Sequence, residues 1–373
     1  MSRRRKRGSG EGSIYKRKDG RWVAGLTIGS DANGRQRRRH FYGRNRREVE
    51  EKLARARADQ LDGLLLESQR IKLGDFLERW LQDDVSISVR PTTLASYRST
   101  LKNHVIPHLG GVKISKLTPA HIQALYGLLQ KQGRSPRLRQ YVHAVLHRAL
   151  LRAVRWQLIV RNPCDAVARP RVPRKEIHPL STDEVRTFLN AARDDHLEAL
   201  YVLAVTTGLR QGELLGLRWS DVDLKKGTLQ VRRSVTEVNG KLDFSEPKTA
   251  KGRRQITLPQ IAVDSLRLQR KSGKATPHPS TLIFPDAKGG PIRKQNLVRR
   301  SFRPLLERAG IRRIRFHDLR HTAATLLLAE GVHPKVVQER LGHATISLTL
   351  DVYSHVVEGM QKEAASKLDA LLG

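Results

Sequence analysis

Between Ala168 and Leu180 the chain reads Ala-Arg-Pro-Arg-Val-Pro-Arg-Lys-Glu-Ile-His-Pro-Leu, with three prolines, four lysines or arginines and no apolar periodicity. Proline fixes φ, lacks an N–H and pushes the residue before it away from helical geometry, so neither a helix nor a central strand can run through this segment. It is a linker. A chain of 373 residues interrupted there folds as separate domains, each burying its own core. Ser181 with Glu184 three residues on is a capping box that opens the next domain directly downstream.

Upstream of the linker the pattern changes once. Short strand-like segments, Ser13 to Lys16, Arg21 to Ile28 and Gln36 to Tyr42, are separated by Lys18-Asp19-Gly20 and Asp31-Ala32-Asn33-Gly34. Asp-Gly and Asn-Gly between alternating segments signal hairpins and predict a small three-stranded sheet. From Arg46 to Leu61 the period turns helical, with Val49, Leu53 and Ala56 on one face. From Ile71 to Val167 the chain reads as all-helical. Leu73, Phe76, Leu77, Trp80 and Leu81 form one stripe, and Leu94, Tyr97, Leu101 and Val105 a second. Thr118-Pro119 and Ser135-Pro136 are cap-plus-proline starts for two more helices, giving four.

Downstream, helices are interrupted by a small sheet near Val222 to Leu258, and the last helix, Lys362 to Leu372, carries Ala364, Leu368 and Leu371 on one side. That side suits docking on a neighbouring subunit or on its own domain. The expected fold is multidomain and mainly α: a small β domain over residues 1–62, a four-helix domain over 70–168 and a mixed α+β domain over 176–373.

The charge points to a partner. There are 71 Lys and Arg against 36 Asp and Glu, a formal net charge of +35, a field that attracts polyanions and makes nucleic acid the first candidate. A ribosomal or nucleoid protein would share the charge but would rarely need this length. Arg21, Arg37, Arg38 and Arg39 in the strand segments, and Arg98, Lys102, Arg137 and Arg139 on the helices, are candidate phosphate contacts, with simple solvated faces as the alternative. The single cysteine, Cys164, cannot form an internal disulfide, and no Cys/His cluster has zinc-finger spacing, so a reducing cytoplasm is expected. The basic run Arg3 to Arg7 is followed by no apolar stretch of signal-peptide type, and no segment approaches the ~18 apolar residues of a membrane span, so no membrane partner is expected.

Groups suited to phosphate chemistry collect at element ends of the last domain. In Thr206-Thr207-Gly208-Leu209-Arg210-Gln211-Gly212-Glu213-Leu214 an apolar helix breaks at Gly208, and Glu213 stands where it could hold the Arg210 fork toward an anion; in isolation a structural Arg–Glu pair is the plainer reading of these residues. Pro247-Lys248-Thr249 lies at the start of an expected hairpin whose second strand is Arg253 to Leu258, placing a mobile lysine on a loop tip, where a surface lysine is the plain alternative. His317-Asp318-Leu319-Arg320-His321 opens a helix ending at Gly331, with positions 317, 320 and 321 on one face at an N-terminus whose free N–H groups favour anions. His317-Asp318 also resembles the metal-binding dipeptide of phosphohydrolases, but no further ligands are recognisable, so the expected metal and cofactor content is none. His343 follows Gly342 at a helix end, and Tyr353 lies ten residues beyond it. Tyr126 and Tyr201 fall in apolar stripes and read as core.

Taken singly, each of these is ordinary. Together, the order Arg, Lys, His-x-x-Arg, His, Tyr resembles the tyrosine recombinase (phage integrase) family, and Gly208 to Leu214, His317 to Thr322 and Leu341-Gly342-His343 are near-consensus for it. The resemblance implies an arm-type DNA-binding domain at 1–62, a SAM-like core-binding domain at 70–168 and a catalytic domain at 176–373. The ten-residue spacing from His343 to Tyr353 is the form familiar in integrases of phages and conjugative elements, where Xer-type members have nine.

It further implies a site-specific recombinase that cuts and rejoins DNA through a 3'-phosphotyrosine. Tyr353 would be the nucleophile, Arg210 and Arg320 the clamp on the non-bridging oxygens, Lys248 the acid for the leaving 5' oxygen, and His317 a base or orienting group. His343 would donate a further hydrogen bond, and Glu213 would hold Arg210 and His317 in place. Expected partners are double-stranded DNA at core and arm sites, three further copies of the chain, an excisionase and a host DNA-bending protein, at the nucleoid of a bacterial cell. Rival readings are a Xer-like resolvase or invertase, a type IB topoisomerase, a metal-dependent nuclease and a non-catalytic DNA-binding regulator; the basic sheet speaks against the first, since minimal members lack an arm-binding module.

Overall fold

The computed structural model describes residues 13–30, 35–61, 70–173, 178–246, 252–272, 278–343, 345–346, 365–366 and 368–372. The chain divides into two compact units, Met1–Arg174 and Lys175–Gly373, with the division inside the proline-rich linker.

The first unit opens with an antiparallel sheet in the order β1 (Ser13–Lys16), β2 (Trp22–Ser30), β3 (Gln36–Gly43). Its register pairs Ala24 with Ile14 and Phe41, and Leu26 with Arg39. The expected turn at Asp31 to Gly34 lies outside the described residues. Helix α1 (Arg46–Leu61) covers one face, where Val49, Leu53 and Ala56 pack on Ala24 and Leu26. Cross-strand partners share a face, so the opposite face carries Tyr15, Tyr42, His40 and Arg38, with both tyrosines about half exposed.

The helical part follows. Helix α2 (Leu73–Trp80) runs through a π-helical turn, Leu81–Val85, into the short α3 (Ser86–Ser88). Then come α4 (Pro91–His104), α5 (Ile106–Leu109), α6 (Pro119–Lys131) and α7 (Pro136–Arg155). The four long helices are those read from the sequence, with α5 and the π turn added. Thr118 and Ser135 cap as expected, each hydroxyl accepting a backbone N–H three residues on. Phe76, Trp80, Leu101, Leu125, Leu129, Leu146 and Leu150 form the core. Tyr126 is buried there, its hydroxyl 2.8 Å from His143 Nδ1.

The second unit begins at the capping box: Ser181 N donates to the Glu184 carboxylate and Glu184 N to Ser181 Oγ. Helices α8 (Thr182–Ala191), α9 (Glu198–Thr207) and α10 (Gln211–Leu215) follow. Helix α9 is apolar all round and buried over most of its length, which makes it the axis of this domain. Five strands come next: β4 (Val222–Asp223), β5 (Thr228–Val231), β6 (Ser234–Val238), β7 (Lys241–Ser245) and β8 (Arg254–Thr257).

Here the structure corrects the sequence reading. Strand β8 is not the second arm of a hairpin through Lys248; it pairs with β5 in a sheet ordered β4-β5-β8, while β6 and β7 form their own hairpin. The reason is the Asn239-Gly240 turn, whose φ values of 50° and 77° match the two-residue turn that closes a tight antiparallel pair. It satisfies β7 locally and leaves β8 free to join β5.

The remaining helices are α11 (Gln260–Lys271), α12 (Lys294–Leu297), a π turn at Val298–Phe302, α13 (Arg303–Arg308), α14 (Asp318–Ala329) and α15 (Pro334–Leu341). Phe188, Tyr201, Phe302 and Phe316 pack together at the centre, Tyr201 stacked on Phe302 and the other pairs edge to face, so Tyr201 is core as expected. Thr322 ties the start of α14 to the incoming chain by accepting the N–H of Leu180 and donating to Asp318 O.

Candidate active site

The site is built on two helix C-termini. Helix α9 ends at Gly208 and α15 at Gly342, both in left-handed conformation with φ of 63° and 67°. Only glycine takes such a position without strain, and space forbids a side chain too: a Cβ on Gly208 would lie 2.2 Å from Leu341 Cδ2, and one on Gly342 3.0 Å from an Arg254 nitrogen. The last carbonyls of a helix lack intrahelical partners and carry the negative end of its dipole. Arginines take them here.

Arg320 Nη1 donates to Gly208 O at 2.7 Å, Arg210 Nη2 to Gly342 O at 3.0 Å, Arg254 Nε to Arg340 O at 2.7 Å, and Arg340 Nη2 to Thr206 O at 3.1 Å. Four guanidinium groups thus gather where two helix ends meet. Glu213, 3% exposed on its side chain, is the carboxylate among them. Its oxygens accept from Arg210 N and Nη1 at 3.0 and 2.8 Å, and from Arg254 Nη2 at 3.0 Å. Burial works against its charge, but Arg254 and Arg210 outweigh it and hold the carboxyl below the usual range. The expected Arg210–Glu213 pair is present. Among the described residues the second partner of Glu213 is Arg254, not His317.

Arg320 is 3% exposed, and its Nη2 has no hydrogen-bond partner among the described residues. Burial, then the nearby charges of Arg210 and Arg254, lower its pKa to about 9, so it stays a cation at neutral pH. A buried cation beside two others, with a donor unspent, favours an anion at that point.

His317 occupies the position just before α14, with no capping hydrogen bond from its side chain, its ring perpendicular to that of His321 at 5.1 Å. The residue is exposed, yet desolvation by the protein around its ring, then His321 and Arg320, push it down to about 4. His343 sits in the turn after α15, its N–H bonded to Gln338 O and its carbonyl to Gln338 Nε2. Burial, then Arg320 and Arg210, push it down to about 4 as well. Both imidazoles are therefore neutral at pH 7, each able to donate one hydrogen bond and accept another. Asp318 is engaged by Arg315, which donates to it from its main-chain N and its guanidinium. Among the described residues no three His, Cys, Asp or Glu side chains group as a metal site.

Arg210, Glu213, Arg320, His317 and His343 therefore converge on the ends of α9, α14 and α15. Lys248 and Tyr353 lie outside the described residues. Sequence reasoning missed Arg254, although a signal exists: Arg254, Ile256 and Leu258 alternate, and Ile256 and Leu258 are buried, so the arginine occupies a core-facing register. A cleft of about 740 Å³ beside it is lined by Arg218, Arg232, Arg233, Arg253 and Arg254 itself, together with Glu246, which pairs with Arg253.

Of the candidate DNA contacts, Arg21 is exposed just before β2 and Arg38 on β3, Arg39 lies over the Phe41 ring at 5.5 Å, and the Arg37 side chain lies outside the described residues. Arg98 and Lys102 share an exposed face of α4. Arg137 is exposed at the start of α7, and Arg139 donates to Gln130.

The sequence matches the phage integrase family over residues 179–359 and the phage integrase N-terminal SAM-like domain over residues 72–129. A protein of Caldanaerobacter subterraneus subsp. tengcongensis described as tyrosine recombinase XerC-like is 33% identical, over 93% of this chain and 95% of its own. The fold is shared with the Tn1549 transposon integrase in complex with a circular intermediate DNA (TM-score 0.68, 20% identity, 79% of this chain and 99% of that one). It is also shared with a lambda integrase tetramer bound to a Holliday junction (TM-score 0.59, 21% identity, 89% and 95%).

Proposed function

This chain belongs to the phage integrase family of tyrosine recombinases, and from that premise we propose that it integrates and excises a mobile element by cutting and rejoining DNA through a 3'-phosphotyrosine at Tyr353. The observation that carries the reading is Arg320: a buried guanidinium with an unspent donor, beside Arg210 and Arg254, in a pocket whose one bonded carboxylate is already engaged.

A phosphodiester resists attack because its oxygens repel nucleophiles and its alkoxide leaves poorly. Arg210 and Arg320 neutralise the non-bridging oxygens as charge builds, and His343 donates a further hydrogen bond. The Tyr353 oxygen attacks phosphorus, its proton passing to His317 or to water oriented by it, while the bond to the 5' oxygen breaks and Lys248 supplies the proton to that oxygen. The linkage energy stays in the phosphotyrosine, so a second 5' hydroxyl reverses the step and rejoins the strand. Cutting becomes exchange.

Residues 1–62 serve as the arm-site domain, using Arg21, Arg37, Arg38 and Arg39, and residues 70–168 as the core-site domain, using Arg98, Lys102, Arg137 and Arg139. Residues 176–373 carry the chemistry. Four copies act together on two duplexes, in keeping with the lambda integrase tetramer on its Holliday junction. An excisionase and a host DNA-bending protein set direction, at the nucleoid in a bacterial cytoplasm; no helix among the described residues is long and apolar enough to cross a membrane. A second reading, a Xer-like resolvase, draws on the name of the Caldanaerobacter relative. The two separate in a plasmid assay. An integrase joins attachment sites on different molecules, whereas a resolvase only deletes between sites on one; deletion alone contradicts the proposal.

A further inference from the structure

Arg210 and Arg320 keep something in reserve for a ligand, the first with a side chain 43% exposed and the second with an unpaired Nη2. Arg254 does not. Its side chain is 6% exposed; Nε donates to Arg340 O at 2.7 Å, Nη2 to Glu213 Oε2 at 3.0 Å, and Nη1 is shared between Glu213 Oε1 at 3.4 Å and Gly252 O at 3.3 Å. One guanidinium therefore joins three segments far apart in sequence: the first turn of α10, strand β8 and the last turn of α15.

Each attachment bears on a group of the pocket. The Glu213 carboxylate, gripped from one side by Arg254, grips Arg210 from the other. The Arg340 carbonyl belongs to the helix end that runs into Gly342 and His343, and Gly342 packs so closely on the Arg254 guanidinium that a Cβ there would sit 3.0 to 3.2 Å from it. A cavity of about 230 Å³ lined by Arg254, Gln338, Gly342 and His343 lies beside this point.

We propose that Arg254 is a positioning residue for DNA cleavage, fixing through Glu213 the aim of the Arg210 fork and through the α15 terminus the place of His343. It touches no reacting atom; it sets two sides of the pocket with one rigid plane. A lysine there would keep the charge, so Glu213 would not be left unpaired, but a point ammonium cannot span both carboxylate oxygens and the Arg340 carbonyl in one plane. The inference rests on the reading that the pocket receives the scissile phosphate.

The test compares wild type, Arg254→Lys and Arg254→Ala on a core-site duplex nicked so that cleavage traps the covalent adduct. Misplacement by about 1 Å costs on the order of 100-fold in rate, so Arg254→Lys is expected to cleave about 100-fold more slowly in a single turnover while its Kd for the duplex stays within about threefold. Arg254→Ala is expected to recover cleavage when millimolar guanidinium is added, and not when tetramethylammonium is. A wild-type rate in Arg254→Lys overturns the role, as does an equal fall in binding and cleavage, which marks a plain folding contact, or loss of DNA binding in both variants. Absence of adduct from the wild type instead sinks the reading of the pocket.

Discussion

Replacing Glu213 by glutamine keeps the shape of the side chain and removes its charge. The consequence follows from what surrounds it. Glu213 accepts from Arg210 and Arg254, lies close enough to Arg320 to raise its pKa, and is itself 3% exposed. Leaving a buried ionic partner uncompensated costs about 3 to 5 kcal/mol. The substitution falls toward the lower end, because Arg210 is 43% exposed and is rehydrated, whereas Arg254 at 6% is not. Glutamine also turns one amide N–H toward a guanidinium, donor against donor. We expect a loss of about 3 kcal/mol. For a domain of this size each kcal/mol shifts Tm by about 2 to 4 °C, so the melting transition of the Lys175–Gly373 unit should fall by about 6 to 12 °C. Sulfate at millimolar concentration should restore part of that loss by supplying the missing negative charge. Circular dichroism melts of the full chain, with and without sulfate, read both effects. A loss under about 1 kcal/mol, indifferent to sulfate, would refute the reasoning and show that helix-end carbonyls alone hold the arginines.

Other expectations follow from the same geometry. Arg210→Ala should abolish cleavage while leaving DNA affinity within about tenfold, since one contact among many phosphate contacts adds little to binding; a larger fall in a filter-binding or anisotropy titration would make Arg210 a docking residue. His317 and His343 are both pushed down from 6.5 to about 4. Between those values the unfolded chain binds protons that the folded chain refuses, so stability should fall as pH drops from 6.5 toward 4; a Tm that stays flat between pH 7 and 5 would contradict those shifts. Deleting residues 1–45 should weaken arm-site binding and spare core-site cleavage, and loss of both would make the sheet part of the catalytic fold.

The sequence disclosed what local pattern encodes. Val49, Leu53 and Ala56 declared the buried face of α1, Ser181 and Glu184 the start of the second unit, and Gly208 and Gly342 the helix ends that carry the site. It hid what depends on pairing over distance. Strand β8 follows a loop that reads locally as a hairpin, whereas the Asn239-Gly240 turn already closes β6 on β7, and the π turns at Leu81–Val85 and Val298–Phe302 have no period of their own to reveal them. Arg254 resembled any basic residue beside Arg253, and only folding brings it to Glu213, 41 positions earlier. The convergence of Arg210, Glu213, His317, Arg320 and His343 was legible because these residues sit in short words at element ends; the arginine framework behind them was not, because apart from Glu213 its acceptors are main-chain carbonyls that any residue offers.

The most direct measurement is a denaturing gel of protein incubated with nicked attachment-site DNA in the presence of EDTA, comparing the wild type with Tyr353→Phe. The account predicts a covalent protein–DNA band from the wild type, unaffected by the chelator, and none from the variant, which should still bind the duplex. A covalent band that persists in Tyr353→Phe, or one that vanishes with EDTA, would contradict it.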